Sequence, residues 1–340
     1  MRNLLLFGLY LVVLSACSPF TTPRDVTPSL QSDWYTIYFT HPGEAGTGLA
    51  VESALIDSIR RADDSIDLAL YSFSLPTIAD ALIDVQQHGV QIRMVMETDN
   101  MDSYQVRRLL AAGIPIQPDH SEGLMHNKFV IIDLHEVWIG SMNLTITGAQ
   151  EDANNLVRIE STELAVDYAQ EFDAMYQSRL FGEEHTPEPI YPLISIDSTA
   201  LEVFFPPNDN ASDRLIEVVN EADTSIVFLA SNFTSDLLSE ALIRAIGRGV
   251  SASGLMDAGN ALSDTGSDYI AMLEAGIPVM LDKDPGRMHH KVLIIDESIV
   301  VFGSYNFTAS AEKRNDENLL IIHDAQWAAL FLKEYRRLVD

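Results

Sequence analysis

Cysteine is all but missing from this chain: Cys17 is the only one in 340 residues. That excludes an internal disulfide and any metal site built from several thiolates. Basic residues are scarce as well. Lys and Arg total 21 against 50 Asp and Glu, for a formal net charge of −29. An acidic balance of this size favours solubility and repels polyanions at long range, and it lacks the basic footprint of a nucleic-acid binder. A membrane-spanning apolar run is lacking at the N-terminus. The segment from Leu4 to Leu14 has eleven residues, where about 20 are needed to cross a bilayer. No cluster of His and carboxylates at metal-ligand spacing stands out either, so no metal and no other cofactor is expected.

What the N-terminus does have is specific. Arg2 precedes the short apolar run, the pattern of a secretory signal. The run ends in Leu14-Ser15-Ala16-Cys17, which resembles the lipobox of bacterial lipoproteins. That resemblance implies cleavage before Cys17 and attachment of lipid to it, two or more acyl chains making the anchoring stable. Residues 18–33, "SPFTTPRDVTPSLQSD", are rich in Pro, Ser and Thr and read as a flexible tether. The expectation is an extracytoplasmic protein anchored to a membrane.

The rest of the chain repeats itself. "ADDSIDLALYSFS" at 62–74 matches "ADTSIVFLASNFT" at 222–234, and "LLAAGIPI" at 109–116 matches "MLEAGIPV" at 272–279. Self-similarity on this scale marks a duplicated unit. The expected division is a first half at 34–181, a linker at 182–192 ("GEEHTPEPIYP") and a second half at 193–340. Within each half, apolar strand-like runs alternate with segments of helical periodicity, as at Ile78, Ala81, Leu82 and Val85. Such alternation predicts α/β layers around a central sheet. Two similar α-β-α sandwich halves should meet about a pseudo-twofold axis.

The densest repeat is "HNKFVIIDLHEVWIGSMNLT" at 126–145 against "HHKVLIIDESIVVFGSYNFT" at 289–308. Both spell H-x-K-x4-D-x6-G-S-x-N. His126 and Lys128 are two apart on a strand-like segment, so they project from one face; His289 and Lys291 repeat the arrangement. Ser141, Asn143, Ser304 and Asn306 follow the second strand of each motif and read as neutral donors for an anion at the start of a short helix. Asp133 and Asp296 lie at the far end of their strands from the histidines, which assigns them a structural role.

This doubled motif resembles the signature of the phospholipase D superfamily, over most of the chain beyond the tether. The stretch "RNDENLLII" at 314–322 looks most like the small endonucleases of that superfamily, which act as dimers with one motif per subunit. Here both motifs are in one chain, so a monomer is expected. The resemblance implies metal-independent phosphodiester cleavage through a covalent phosphohistidine. One histidine attacks phosphorus and the other protonates the leaving oxygen. Lys128, Lys291, Asn143 and Asn306 would hold the non-bridging oxygens.

The position eleven after each motif Asn separates the two histidines: Asn154 in the first half, Glu317 in the second. In the related endonucleases an acid at the latter position bonds the motif histidine. Pairing within each half then makes His289 with Glu317 a general acid and His126 with Asn154 a neutral nucleophile. Glu151 and Asp152 are the neighbouring acids that could shift into the role in the first half.

Other residues carry less. Lys283, Arg287, Lys291, Lys313 and Arg314 gather near the second motif, either as a cationic patch or as a solvated loop. His290 should face away from its neighbours, Trp138 should pack in the core, and His41, His88, His120, His135, His185 and His323 are isolated. With a lipid anchor and an acidic surface, the expected substrate is a membrane phospholipid. A nuclease and a phosphatidyltransferase similar to cardiolipin synthases are the alternatives.

Overall fold

The computed structural model describes residues 30–340 except Ala45 and Pro187. The expected signal segment, Cys17 and the tether up to residue 29 lie outside the described residues. Leu30–Gln31, at the end of the expected tether, forms a short strand, β1, paired with Ile37 and Thr36.

The first sheet uses β1 with β2 (Tyr35–Thr40), β3 (Ser65–Leu70), β4 (Gln91–Met96), β5 (Ile116–Pro118), β6 (Lys128–Ile132), β7 (Glu136–Gly140) and β8 (Asn154–Glu160). Their spatial order is β1-β2-β8-β7-β6-β3-β4-β5. The second sheet uses β9 (Leu193–Ile196), β10 (Thr199–Phe204), β11 (Ser225–Ala230), β13 (Ser251–Met256), β14 (Val279–Leu281), β15 (Lys291–Ile295), β16 (Ile299–Gly303) and β18 (Leu319–His323). Its order, read from the other edge, repeats the same pattern: β9-β10-β18-β16-β15-β11-β13-β14. Short strands β12 (Phe233–Thr234) and β17 (Phe307–Thr308) pair separately within the second half.

These strands read as continuous apolar runs because helices cover both sheet faces. In each half one layer holds two helices: Thr47–Arg60 and Pro76–Gln87 in the first, and Ala211–Glu221 and Asp236–Gly247 in the second. Each of these layers has its own core around Leu55, Ile78 and Leu82, or Leu215, Leu238 and Leu242. The helices Thr162–Tyr176 and Ala325–Val339 cover the other faces and share one core with both sheets. Tyr168 packs edge-on to Phe129 of the first sheet and to Phe205 of the second half, with ring centroids 5.0 and 4.9 Å apart. Trp327 stacks on Trp34, 6.0 Å away, across the same junction. The two halves are therefore joined by hydrophobic burial, the dominant favourable term in folding and association.

Their relation is reciprocal. Met125 forms a bridge with Asp316, and Met288 forms one with Ala153. Positions 125 and 288 are equivalent in the repeat, as are 153 and 316. When i meets j′ and i′ meets j, the contact is isologous and a twofold relates the partners. The pseudo-twofold expected from the repeat thus passes beside the two motifs.

Each motif begins a hairpin. Asp133 and Leu134 turn between β6 and β7 with positive φ (51° and 50°), and Asp296 and Glu297 repeat the turn at 50° and 51°. The Asp133 carboxylate accepts backbone N–H groups of Asp63, Asp64 and Ser65 at 2.8–2.9 Å. Asp296 does the same for Asp223, Thr224 and Ser225 at 2.7–2.9 Å. Both aspartates tie the motif hairpin to the start of the neighbouring strand.

Candidate active site

β6 runs antiparallel to β3, with Lys128 opposite Leu70. The residues before β6 therefore lie at the C-terminal end of β3, and those before β15 lie at the corresponding end of β11. The reciprocal bridges hold these ends together. The His126 N–H donates to Asp316 O and the His289 N–H to Ala153 O, both at 2.9 Å. Both motif histidines are thus held by backbone from the opposite half.

Their side chains follow the same rule, and this corrects the pairing expected from sequence. His126 Nδ1 lies 2.8 and 2.9 Å from the two carboxylate oxygens of Glu317. His289 Nδ1 lies 2.9 Å from Asn154 Oδ1 and 3.1 Å from Ser141 O. Pairs expected within each half are exchanged between halves. The physical cause is the docking of strand ends: the segment entering β8 runs beside Arg287–His289, and the segment entering β18 runs beside Leu124–His126. Glu151 and Asp152 do not take the acid's place. Asp152 accepts the Arg287 N–H at 3.1 Å. Both Nδ1 atoms face acceptors, so each carries hydrogen and leaves Nε2 free toward the site.

The serines also differ from expectation. Ser141 is fully buried; its hydroxyl donates to Asn154 Oδ1 and accepts the Asn155 N–H, both at 3.0 Å. Ser304 donates to Glu317 Oε2 at 2.6 Å and accepts the Asn318 N–H at 2.9 Å. Neither is left to bind phosphate; each orients the partner of a histidine. Gly140 explains the inward turn, since a Cβ there would sit 2.4 Å from Asn155 O. The short helix begins only at Ile146, capped by the Thr145 hydroxyl, so Ser141 and Asn143 are not at its start. In Asn143 and Asn306 Oδ1 is buried without a protein partner; a phosphate oxygen would be met by the donating Nδ2 of each amide, not by this accepting atom.

Lys128 and Lys291 are each about 1% exposed. Their ammonium groups donate to the carbonyl of their own histidine, Lys128 to His126 O at 2.6 Å and Lys291 to His289 O at 2.8 Å. The expected basic cluster does not converge as a unit. Lys291 is in the site and Arg287 is near enough for its charge to depress His289 and Lys291, whereas Lys313 and Arg314 line two separate clefts. Trp138 is buried in the core as expected, and His290, for which the sequence allows core or surface packing, is buried too. Of the histidines expected to be isolated, His41 meets Glu334 and Glu44, and His185 meets the buried Glu171 at 2.6 Å.

The family described as "Cardiolipin synthase, PLD-like domain" matches residues 55–176 and 215–339, most of both halves. The chain belongs to the phospholipase D-like family. It is 35% identical to a phospholipase D of Rickettsia bellii over 46% of this chain and 78% of that protein. It is 35% identical to human mitochondrial cardiolipin hydrolase over 39% of this chain and 52% of that one. Among solved structures, phosphatidylserine synthase of Haemophilus influenzae superposes with a TM-score of 0.70 at 13% identity, covering 89% of this chain and 86% of that one. At that identity the likeness is one of fold.

The electrostatics of this phospholipase D-like site are those of two cations buried around one carboxylate. Burial lowers Lys291 to about 7 and drives Lys128 well below its ordinary value, with Glu317 opposing both. Burial lowers His126 to about 4 against the pull of Glu317, with Lys128 and Lys291 adding to the fall. His289 is also held well below its usual value by burial, then by Lys291, Lys128 and His126. Each motif thus feels the charges of the other. Burial alone would raise Glu317, yet His126 and Lys128 bring it below the ordinary carboxylate range.

Two groups of residues at the site escaped the sequence reading. Tyr71 makes a T-shaped contact with His126, with ring centroids 5.0 Å apart. The buried amides of Asn155 and Asn318 cross the junction, to His290 Nδ1 and to Asn127 Oδ1, each at 2.8 Å. The available signal was a difference between repeats: Tyr71 aligns with Ser231 in otherwise similar segments.

Proposed function

We propose that this protein is a phospholipase D-type phosphodiesterase that hydrolyses membrane phospholipids through a covalent adduct on His126. The observation that carries the reading is the unequal pair of crossed contacts, His126 with Glu317 and His289 with Asn154. In the first step Nε2 of His126 attacks phosphorus and the bond to the leaving alcohol breaks. The attacking ring gains positive charge, which a carboxylate at Nδ1 stabilises. His289 gives its Nε2 proton to the leaving oxygen and becomes neutral. A neutral amide partner favours that change, because it does not hold the ring in its charged form. In the second step His289 takes a proton from water, the water oxygen bonds to phosphorus and the P–N bond to His126 breaks. Phosphate monoester leaves and both rings are restored.

Burial depresses His289 most in the free protein, followed by Lys291 and Lys128; the anionic diester counters the lysines and so favours the protonated acid. Lys128, Lys291, Asn143 and Asn306 face the non-bridging oxygens in this reading and supply the charge stabilisation.

Support for phospholipid as substrate comes from the curated relatives and from the acidic composition. A lipid on Cys17 would hold the site beside a bilayer outside the cytoplasm, on the periplasmic side or at the cell surface. Among the described residues, no helix is long and apolar enough to cross a membrane. The deciding experiment compares head-group release from mixed liposomes with cleavage of single- and double-stranded DNA and RNA, with and without EDTA. Lipid turnover that survives chelation is expected. Efficient nuclease turnover without lipid hydrolysis overturns the substrate, and activity restored only by added divalent ion overturns the role of the lysines. Retention of Cys17→Ser in the membrane fraction overturns the anchor.

A further inference from the structure

The two halves of the site differ in one wall. Tyr71 follows β3 and its ring makes a T-shaped contact with the His126 ring, at 5.0 Å and an interplanar angle of 65°. The face of the Tyr71 ring meets the Lys128 ammonium, 5.3 Å from its centroid. Lys128 is thereby held between an aromatic face and the His126 carbonyl, 2.6 Å away. The equivalent residue in the second half is Ser231, and among the described residues no ring faces Lys291 in this way. Tyr71 itself is anchored through its backbone, its N–H donating to Asn127 O at 2.9 Å and its carbonyl accepting Asn100 Nδ2 at 2.8 Å.

We propose that Tyr71 is a positioning residue for the nucleophile, its T-shaped contact setting the plane of His126 and its face holding Lys128. The proposal rests on His126 being the attacking group. T-shaped aromatic contacts are favourable and a ring face carries partial negative charge, so one tyrosine can meet an imidazole and an ammonium at once. It also keeps water from one side of His126. The other charged groups facing that imidazole are Glu317 from the second half and the two lysines. The first repeat thus carries an aromatic wall at its histidine and the second a small polar residue, the same inequality that Glu317 and Asn154 establish from the opposite side.

The test uses Y71F, Y71L and Y71S in the full chain. Two readouts are needed: hydrolysis of a chromogenic aryl phosphodiester, and titration of His126 by ¹⁵N-histidine NMR without substrate, its resonance identified by loss in H126A. Y71F keeps the ring and should retain the rate within about threefold. Y71L fills the space without a charged-face partner and should lower kcat about tenfold with little change in KM. Y71S should lower kcat similarly and raise the His126 midpoint by about one pH unit, because water replaces the ring. Wild-type kcat and midpoint in Y71S overturn the proposal; so does a fall in Y71F equal to that in Y71S, which would assign the effect to the hydroxyl. If the wild type cleaves no phosphodiester, the catalytic reading fails, while the His126 midpoint in Y71S still decides whether Tyr71 controls that ring.

Discussion

His126 and Glu317 are 191 residues apart in the chain, yet Nδ1 of the first lies 2.8 Å from a carboxylate oxygen of the second. Glu317 is wholly buried, so this contact is made in a low-dielectric setting where it has large effect. It orients the imidazole, fixes the hydrogen on Nδ1 and compensates charge that develops on the ring.

The histidines should be unequal in substitution. His126→Ala should abolish both turnover and the covalent adduct. His289→Ala should cost roughly 10²- to 10⁴-fold on diesters with alkyl leaving groups. It should still form the adduct from a p-nitrophenyl diester, whose leaving group needs no proton. Mass spectrometry of rapidly denatured enzyme kept at alkaline pH, where the P–N bond survives, locates the adduct; phosphoryl mass on the His289 peptide would reverse the roles.

Glu317→Gln should lower kcat by roughly 10²- to 10³-fold, the range found when an oriented charge-stabilising group is lost. Glu317 raises His126 against the depressing effect of burial. Removing its charge should therefore move the acid limb of the kcat/KM profile to lower pH. Ser304→Ala takes away a 2.6 Å hydrogen bond to the carboxylate and should give a milder loss in the same direction. An acid limb that stays fixed, or moves upward, would contradict the Glu317–His126 coupling.

Asp296 offers a test of stability away from the chemistry. Burial pushes its carboxyl up, but hydrogen bonds from Asp223, Ser225 and Thr224 outweigh this and lower it to about 2. The folded value is below the unfolded one, so the stabilisation is present above about pH 4 and is lost as pH falls toward 2. Asp296→Asn should cost about 1–3 kcal/mol at neutral pH, measured by urea unfolding. The gap from the wild type should narrow below pH 4, and folded variant should keep wild-type kcat/KM. A gap independent of pH would show that the ionised carboxylate is not the source.

Much of this was legible in one dimension. The hairpins, the paired His and Lys, and the structural aspartates follow from strand periodicity, in which positions two apart share a face and the far end of a strand is fixed by its length. The exchange of Asn154 and Glu317 was not legible. Aligning the repeats places each beside its own motif, whereas their contacts depend on how two sheet ends dock across a pseudo-twofold. Ser141 and Ser304 were misread for a related reason. Their spacing to Asn143 and Asn306 resembles an anion-binding turn, but Gly140 and Gly303 admit the backbone of Asn155 and Asn318 so closely that the hydroxyls are drawn inward. The Tyr71–Ser231 difference was visible, but its meaning required the position of the Lys128 ammonium.

The crossed partners bear on inheritance as well as catalysis. A site assembled from two copies of one polypeptide receives every substitution twice, so its histidines are bound to keep identical neighbours. Joining the copies in tandem lets Glu317 and Asn154 mutate separately, and specialisation of the two histidines becomes possible. Covalent linkage also makes the second half's effective concentration a property of the connecting segment rather than of the solution. Specific activity should then be unchanged by dilution, where a site shared between separate chains would come apart.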